Sequence, residues 1–316
     1  MHGPAVRLLQ PAGGCGLRGD RSPAFHRGPR MTAVPSPPSA PPGAFDAVAQ
    51  APVRPAARAG RRWGLVVLGL LAAFAALGPA LVGTDPARQS LADSLLPPGR
   101  AHWLGTDLFG RSTLARLAHA AQLSLGLALA ASASAALPGV LLGVAASWRG
   151  GALDRWLVLL ADAVLAVPGL LLVLLFATLA PGRHWALYLG LSLSLWVEYF
   201  RVSRAASRPV LAGDAVQASR LLGFGPAYLL RRHVLPALAP VLGTLLPFTA
   251  AQAVLALAAL GFIGVGIQPP TAELGLMMTE ALPHYEEAPW LIAAPVGLLA
   301  WLVLGMALVA RPGEPA

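Results

Sequence analysis

The chain alternates long apolar runs with short polar segments. Six runs approach membrane-spanning length, at about residues 63–82, 123–147, 156–179, 185–202, 238–265 and 290–310. A bilayer core takes about 20 residues of helix, so each run can cross it. A helix satisfies its backbone hydrogen bonds within one segment, as the hydrocarbon requires. The pattern predicts an all-α polytopic membrane protein with six transmembrane helices, built from residues 61–310. Residues 1–60 are rich in Pro, Gly, Ala and Arg and lack apolar periodicity. They are expected to form a disordered basic tail. No apolar core follows its first charges, so it does not read as a signal peptide. Met31, followed by a Pro/Ser-rich run, is an alternative translation start.

Composition agrees with a membrane protein. The chain is 56% hydrophobic and 12% charged, against about 25% charged in ordinary soluble domains. Its net charge of +9 comes from Arg alone, since it contains no Lys. The Arg residues are scattered or sit at the ends of runs, with no aromatic platform beside them, which argues against nucleic acid. One cysteine, Cys15, excludes an internal disulfide and a Cys-based metal cluster.

Charge also sets an expected orientation. Arg58, Arg61 and Arg62 precede the first run, and Arg149 and Arg155 follow the second. Arg201, Arg204, Arg208, Arg220, Arg231 and Arg232 surround the segment between the fourth and fifth runs. Six crossings put these segments and both termini on one side. The 268–289 segment, with Glu273, Glu280, Glu286 and Glu287, falls on the other. The positive-inside rule makes the Arg-rich side cytoplasmic. The polar segment 83–120 is nearly balanced in charge and argues neither way.

The segment 204–236 carries the densest local punctuation. Asp214 is placed to cap a short helix through Gln217, Ala218 and Ser219. Gly223 suits the left-handed position that ends it. Pro226 suits the first turn of a second short helix, and Pro236 marks a further break. These residues fit an ordinary helical hairpin between two spans equally well.

Candidate chemistry is sparse. A phosphate-binding loop of the GxxxxGK type is impossible without Lys, and no HExxH or nucleophile–His arrangement stands out. Asp162 lies deepest in a span, where an unpaired charge is costly. It is expected to face a partner helix or a wet translocation path. Glu198 and Arg201, three apart, are expected to pair on one helix. His102, His119 and His284 have no metal-cage spacing. Pro138-Gly139 and Pro168-Gly169 interrupt two spans as hinges or packed kinks, and Gly261, Gly264 and Gly266 permit close helix contact.

The 213–241 stretch resembles the cytoplasmic loop of ABC importer permease subunits. That pattern is Glu-Ala-Ala, three residues, Gly, nine residues, an apolar residue, any residue and Leu-Pro. Ala218, Gly223, Leu235 and Pro236 keep the spacing. Gln217 replaces Glu, Ser219 replaces Ala, and His233 replaces the apolar residue, as peptide-type permeases tend to show. His102-Trp103-Leu104-Gly105-Thr106-Asp107 with Gly110-Arg111 resembles a segment after the first span of the dipeptide, oligopeptide and nickel permeases, with Ser112 in place of Asp. The run Leu260–Pro270 with Glu273, Gly275 and Met277, and then Ala288-Pro289-Trp290, is similar too. The C-terminal end departs from that pattern.

The resemblance implies a type I ABC importer permease fold and a C-type subunit in a bacterial inner membrane. Its expected partners are a B-type permease, two cytoplasmic ATPases, an extracytoplasmic substrate-binding protein and membrane lipid. ATP would be used by the partners, with no cofactor or metal held by this chain. Asp214, Gln217, Ala218, Ser219, Gly223, Phe224, Gly225, His233, Leu235 and Pro236 would form the ATPase-coupling loop. An ion-coupled secondary transporter is the alternative, with Asp162 as its one plausible coupling group. A membrane-bound enzyme would need a polar catalytic cluster that does not appear.

Overall fold

A computed structural model describes residues 55–310, and these are helical with no β-strand; one isolated bridge joins Thr106 and Ser112. The expected tail and the alternative start at Met31 fall almost wholly outside the described residues. The first helix, α1 (Pro55–Val82), begins inside the stretch expected to be tail. It is followed by α2 (Thr113–Arg149), α3 (Gly151–Leu165), α4 (Gly169–Leu179) and α5 (His184–Ala212). Next come the short α6 (Asp214–Leu221) and α7 (Pro226–Leu229), a π turn (Leu230–Val234) and α8 (Leu235–Phe262). A short α9 (Leu274–Ala281) and α10 (Trp290–Ala310) complete the bundle.

The expected six spans are not all recovered. Four helical stretches are long and apolar enough to cross a membrane: Arg62–Val82, Thr113–Arg149, Pro226–Phe262 and Trp290–Val309. The α3–α4 pair makes a fifth if taken as one span bent by 72° at Pro168. The helix at the fourth expected run, α5, is long but polar. It carries Glu198, Arg201, Arg204 and Arg208, and continues to Ala212, well past its expected end at 202.

The most extensive helix contact is α2 against α5, and glycine makes it possible. A Cβ added at Gly139 would stand 2.5 Å from Trp196 O and Tyr199 Cβ. One at Gly143 would meet Phe200 O at 2.6 Å. Backbones this close leave no room for a side chain, as at small-residue contacts between membrane helices. Pro138 lies inside a continuous helix, so Pro138-Gly139 is a packing site rather than a break. Pro168-Gly169 is the real interruption. Beside the contact, Tyr199, Phe200, Val197 and Leu195 are buried with Ala250, Ala253 and Val254 of α8.

The two ends of the bundle are built differently. Residues 83–112 fold back as a cap at the start of α2. Ser90, Leu95 and Thr106 N–H donate to the carbonyls of Phe109, Asp107 and Leu96 at 3.0–3.1 Å. At the other end of α2, Val144 joins Leu211, Val234 and Leu238 in a small apolar cluster that anchors the 213–236 segment.

Candidate functional site

The loop is a helix–turn–helix knuckle. Gly213, with β-region backbone, is the N-cap of α6 and no side chain caps it. Asp214 sits one residue later, in the first turn, so it complements the helix dipole but does not make the expected cap. Gly223 has φ +81°, the left-handed conformation that only glycine adopts at little cost. It closes α6 by donating to Arg220 O at 3.0 Å, while Phe224 N–H donates to Ser219 O at 3.1 Å. Pro226 stands in the first turn of α7, as expected.

Pro236 does not break the chain. The second arm runs from Pro226 through the π turn directly into α8, forming one helical stretch to Phe262. Leu235 N–H bonds back to Leu230 O across five residues, and Pro236 follows it in the first turn of α8. The wider π turn accommodates a residue that has no N–H to give. The expected second short helix is therefore one end of a candidate span.

Exposure is concentrated at the tip. Leu221 is 90% exposed and Leu222 76%, with Phe224 and Tyr228 also outward. Asp214, Gln217, Ala218, Gly223, Gly225, Leu235 and Pro236 are exposed, and Ser219 and His233 half-buried. Val216 and Leu229 turn inward and are buried. The Phe224 and Tyr228 rings stack at 4.3 Å. The Arg220 guanidinium lies 5.4 Å from the centre of the Trp148 ring on α2, a cation–π contact.

Asp154 of α3 clamps the last turns of α5. It accepts from Arg204 Nε and Nη2 at 2.5 and 2.9 Å and from Arg208 Nη2 at 2.5 Å. Ser147 donates to Arg204 O at 2.9 Å. The knuckle is fastened to α2 and α5, and α5 is in turn clamped to α2 and α3. Farther into the bundle Arg201 reaches Asp162 at 2.5 Å, and both side chains are about half exposed. Arg201 therefore pairs across helices, not with Glu198 as expected.

At the opposite end lies a knot of four charges. Asp107 accepts from Arg111 Nε at 2.6 Å and Arg116 Nη1 at 2.7 Å, and from the backbone N–H of Phe109 and Arg111. Glu280 takes Arg111 Nη2 at 3.2 Å. Arg116 Nη2 lies 2.5 Å from Glu280 but off hydrogen-bond geometry, so that contact is an ion pair. Both Arg side chains are buried. The knot borders a cavity of about 430 Å³, with Gln89, Phe109 and His284 also on its wall. The structure thereby gives the Gly105–Arg111 motif a physical role, tying the cap to α9. Reading along the sequence missed Arg116 and Glu280. Their signal is charge in a chain that has little of it.

Near the knot, Glu273 is buried and caps α9, accepting from Leu276 N–H at 2.9 Å. Burial pushes its carboxyl above the ordinary 4.5, while the N–H groups of residues 274–276 oppose the rise. A side chain at Gly261 would collide with it, which accounts for one of the three glycines near the end of α8. His102, His119 and His284 are not gathered: among the described residues no group of three or more His, Cys, Asp or Glu could hold a metal ion.

Residues 139–311 match the family described as binding-protein-dependent transport system inner membrane component. The chain belongs to this family. It is a permease subunit of an ATP-driven importer, and the secondary-transporter alternative is set aside. The permease is 37% identical to the di/tripeptide transport system permease protein DppC of Pseudomonas aeruginosa (strain UCBPP-PA14), over 73% of its own length and 78% of the relative's. It is 32% identical to the dipeptide transport system permease protein DppC of Haemophilus influenzae (strain ATCC 51907 / DSM 11121 / KW20 / Rd), over 78% and 85%. The oligopeptide transport system permease protein OppC of Bacillus subtilis (strain 168) is 29% identical, over 78% and 81%. The matched region includes the knuckle, Gly139 and Gly143 of the α2–α5 contact, and Glu280, while Asp107, Arg111 and Arg116 lie before it.

Proposed function

We propose that this permease forms half of a peptide pathway, paired with a homologous B-type permease. Two cytoplasmic ATPases use ATP, and one docks on the 213–236 knuckle. An extracytoplasmic binding protein delivers substrate to the opposite end. The relatives' names support peptides over nickel. The Arg residues around the knuckle favour a cytoplasmic location for it and for both termini. Asp162, half exposed beside Arg201, would line the path.

The observation that carries this reading is the exposed apolar tip on a fastened base. Leu221 and Leu222 are largely exposed, yet Val216, Leu229 and Val234 root the arms in the bundle. Such a patch suits a partner surface. Closure of the ATPases would move the knuckle as a lever, and the spans would switch between outward and inward openings.

Two variants test it in the transporter co-expressed with its own partner subunits. Gly223→Val places a β-branched residue at φ +81° and distorts the turn. Leu222→Asp leaves the turn intact and charges the tip. Both should leave permease abundance normal while ATPase co-purification and dipeptide uptake fall at least tenfold. Normal docking with Leu222→Asp would remove the reading.

A further inference from the structure

Nothing lies within 4 Å of a Cβ added at Gly223 or Gly225, so the two glycines themselves meet no packing partner. The backbone bonds around it, from Gly223 and Phe224 on one side and Tyr228 and Leu229 on the other, each stay within one arm or its cap. One side-chain hydrogen bond does cross. Ser219 Oγ on α6 lies 3.1 Å from His233 Nε2 in the π turn.

The donor follows from counting protons. A hydroxyl has one hydrogen, and Ser219 gives it to Ala215 O at 2.8 Å, one turn back. Its oxygen can then only accept, so His233 donates through Nε2–H. The Tyr228 and His233 rings are tilted edge-to-face with centroids 6.3 Å apart, and Tyr228 stacks on Phe224. A continuous line of side chains therefore runs from the tip through Tyr228 and His233 to Ser219.

We propose that the Ser219–His233 hydrogen bond is a latch that sets the angle between the arms, making both residues positioning residues for ATPase docking. This rests on the knuckle being the docking element. Without the latch the tip swings about its two glycines, and the ATPase meets a range of orientations instead of one.

The test uses the whole transporter in vesicles, with permease abundance measured for each variant. Ser219→Ala and His233→Leu should each lower ATPase co-purification and binding-protein-stimulated ATP hydrolysis by about twofold to twelvefold, the effect of losing one hydrogen bond of about 0.5–1.5 kcal/mol. The double variant should be no worse than either single one, because one bond is lost in all three. His233→Gln, whose amide N–H can reach the serine, should recover most of the activity. A packing role would not give that rescue. Additive losses, wild-type behaviour of both single variants, or a His233→Gln defect equal to that of His233→Leu would each overturn the latch. If Leu222→Asp abolishes docking while these variants do not, the latch alone fails. If Leu222→Asp docks normally, the docking reading fails with it.

Discussion

The two ends of α2 solve opposite problems. At its start, Arg116 sits in a buried knot with Asp107, Arg111 and Glu280, tying together pieces far apart in sequence. At its far end, about 55 Å away for 37 residues, Trp148 and Val144 support a knuckle whose arms share one side-chain hydrogen bond. Buried, paired charges leave a structure little freedom, since separating them exposes each to an apolar surrounding. A half-exposed bond beside two glycines leaves a good deal. Under the proposed docking, the fixed end would resist deformation while the ATPase moved the other, and α2 would carry motion between them.

The comparison breaks most severely at the knot. Arg116→Ala leaves Asp107 and Glu280 short of a partner, and should cost about 3–5 kcal/mol, as buried pairs do when one member is removed. Thermal unfolding in detergent should show it as a large drop in midpoint. A drop no larger than that of a surface substitution would mean that the knot does not hold this end.

A smaller effect is expected at Glu273. Removing the cap with Glu273→Ala should cost about 0.5–2 kcal/mol. The pH dependence has a definite sign. The folded carboxyl titrates above its ordinary 4.5, so the folded protein holds the proton more tightly than the unfolded chain. Its contribution is full below 4.5 and is lost as pH rises through the folded value. Glu273→Gln should keep an acceptor for Leu276 and flatten that slope. An unchanged slope in melting curves recorded across this range would remove Glu273 as its source.

The smallest effect sharpens the contrast between structure and transport. Asp162 and Arg201 are both about half exposed, and such pairs contribute about 0–1 kcal/mol. Asp162→Asn should therefore barely shift the melting midpoint. If dipeptide uptake falls at least fivefold at unchanged stability, the pair serves the path. Unchanged uptake would make it a packing contact alone.

Much of this was legible in the sequence, for reasons that differ by residue. Gly223 and Pro226 announce their backbone demands locally, and the structure meets both. The apolar runs place the helices, although polar residues on α5 keep that helix from meeting a span's hydropathy, so the count of six does not follow. Pairing was harder to read. Spacing on one helix suggested Glu198 for Arg201, but the partner is Asp162, on a different helix. A periodicity argument sees only neighbours three or four residues apart. The contact between Arg111 and Glu280 crosses 169 residues, and no local pattern reports it. Asp214 failed as a cap by one position, because the chain enters α6 already helical there. Pro236 was read as a break because the π turn that precedes it has no sequence signature of its own.

The wiring of the knot also imposes an order in time. Asp107, Arg111 and Arg116 leave the ribosome well before Glu280. At roughly 5–20 residues per second, the interval lasts roughly 10–30 seconds. During that wait two arginines share one carboxylate, beside helices already entering the membrane. The knot can close only when α9 arrives, near the end of synthesis. A chain truncated before Glu280 would stay open at this end, with two arginines sharing the Asp107 carboxylate alone.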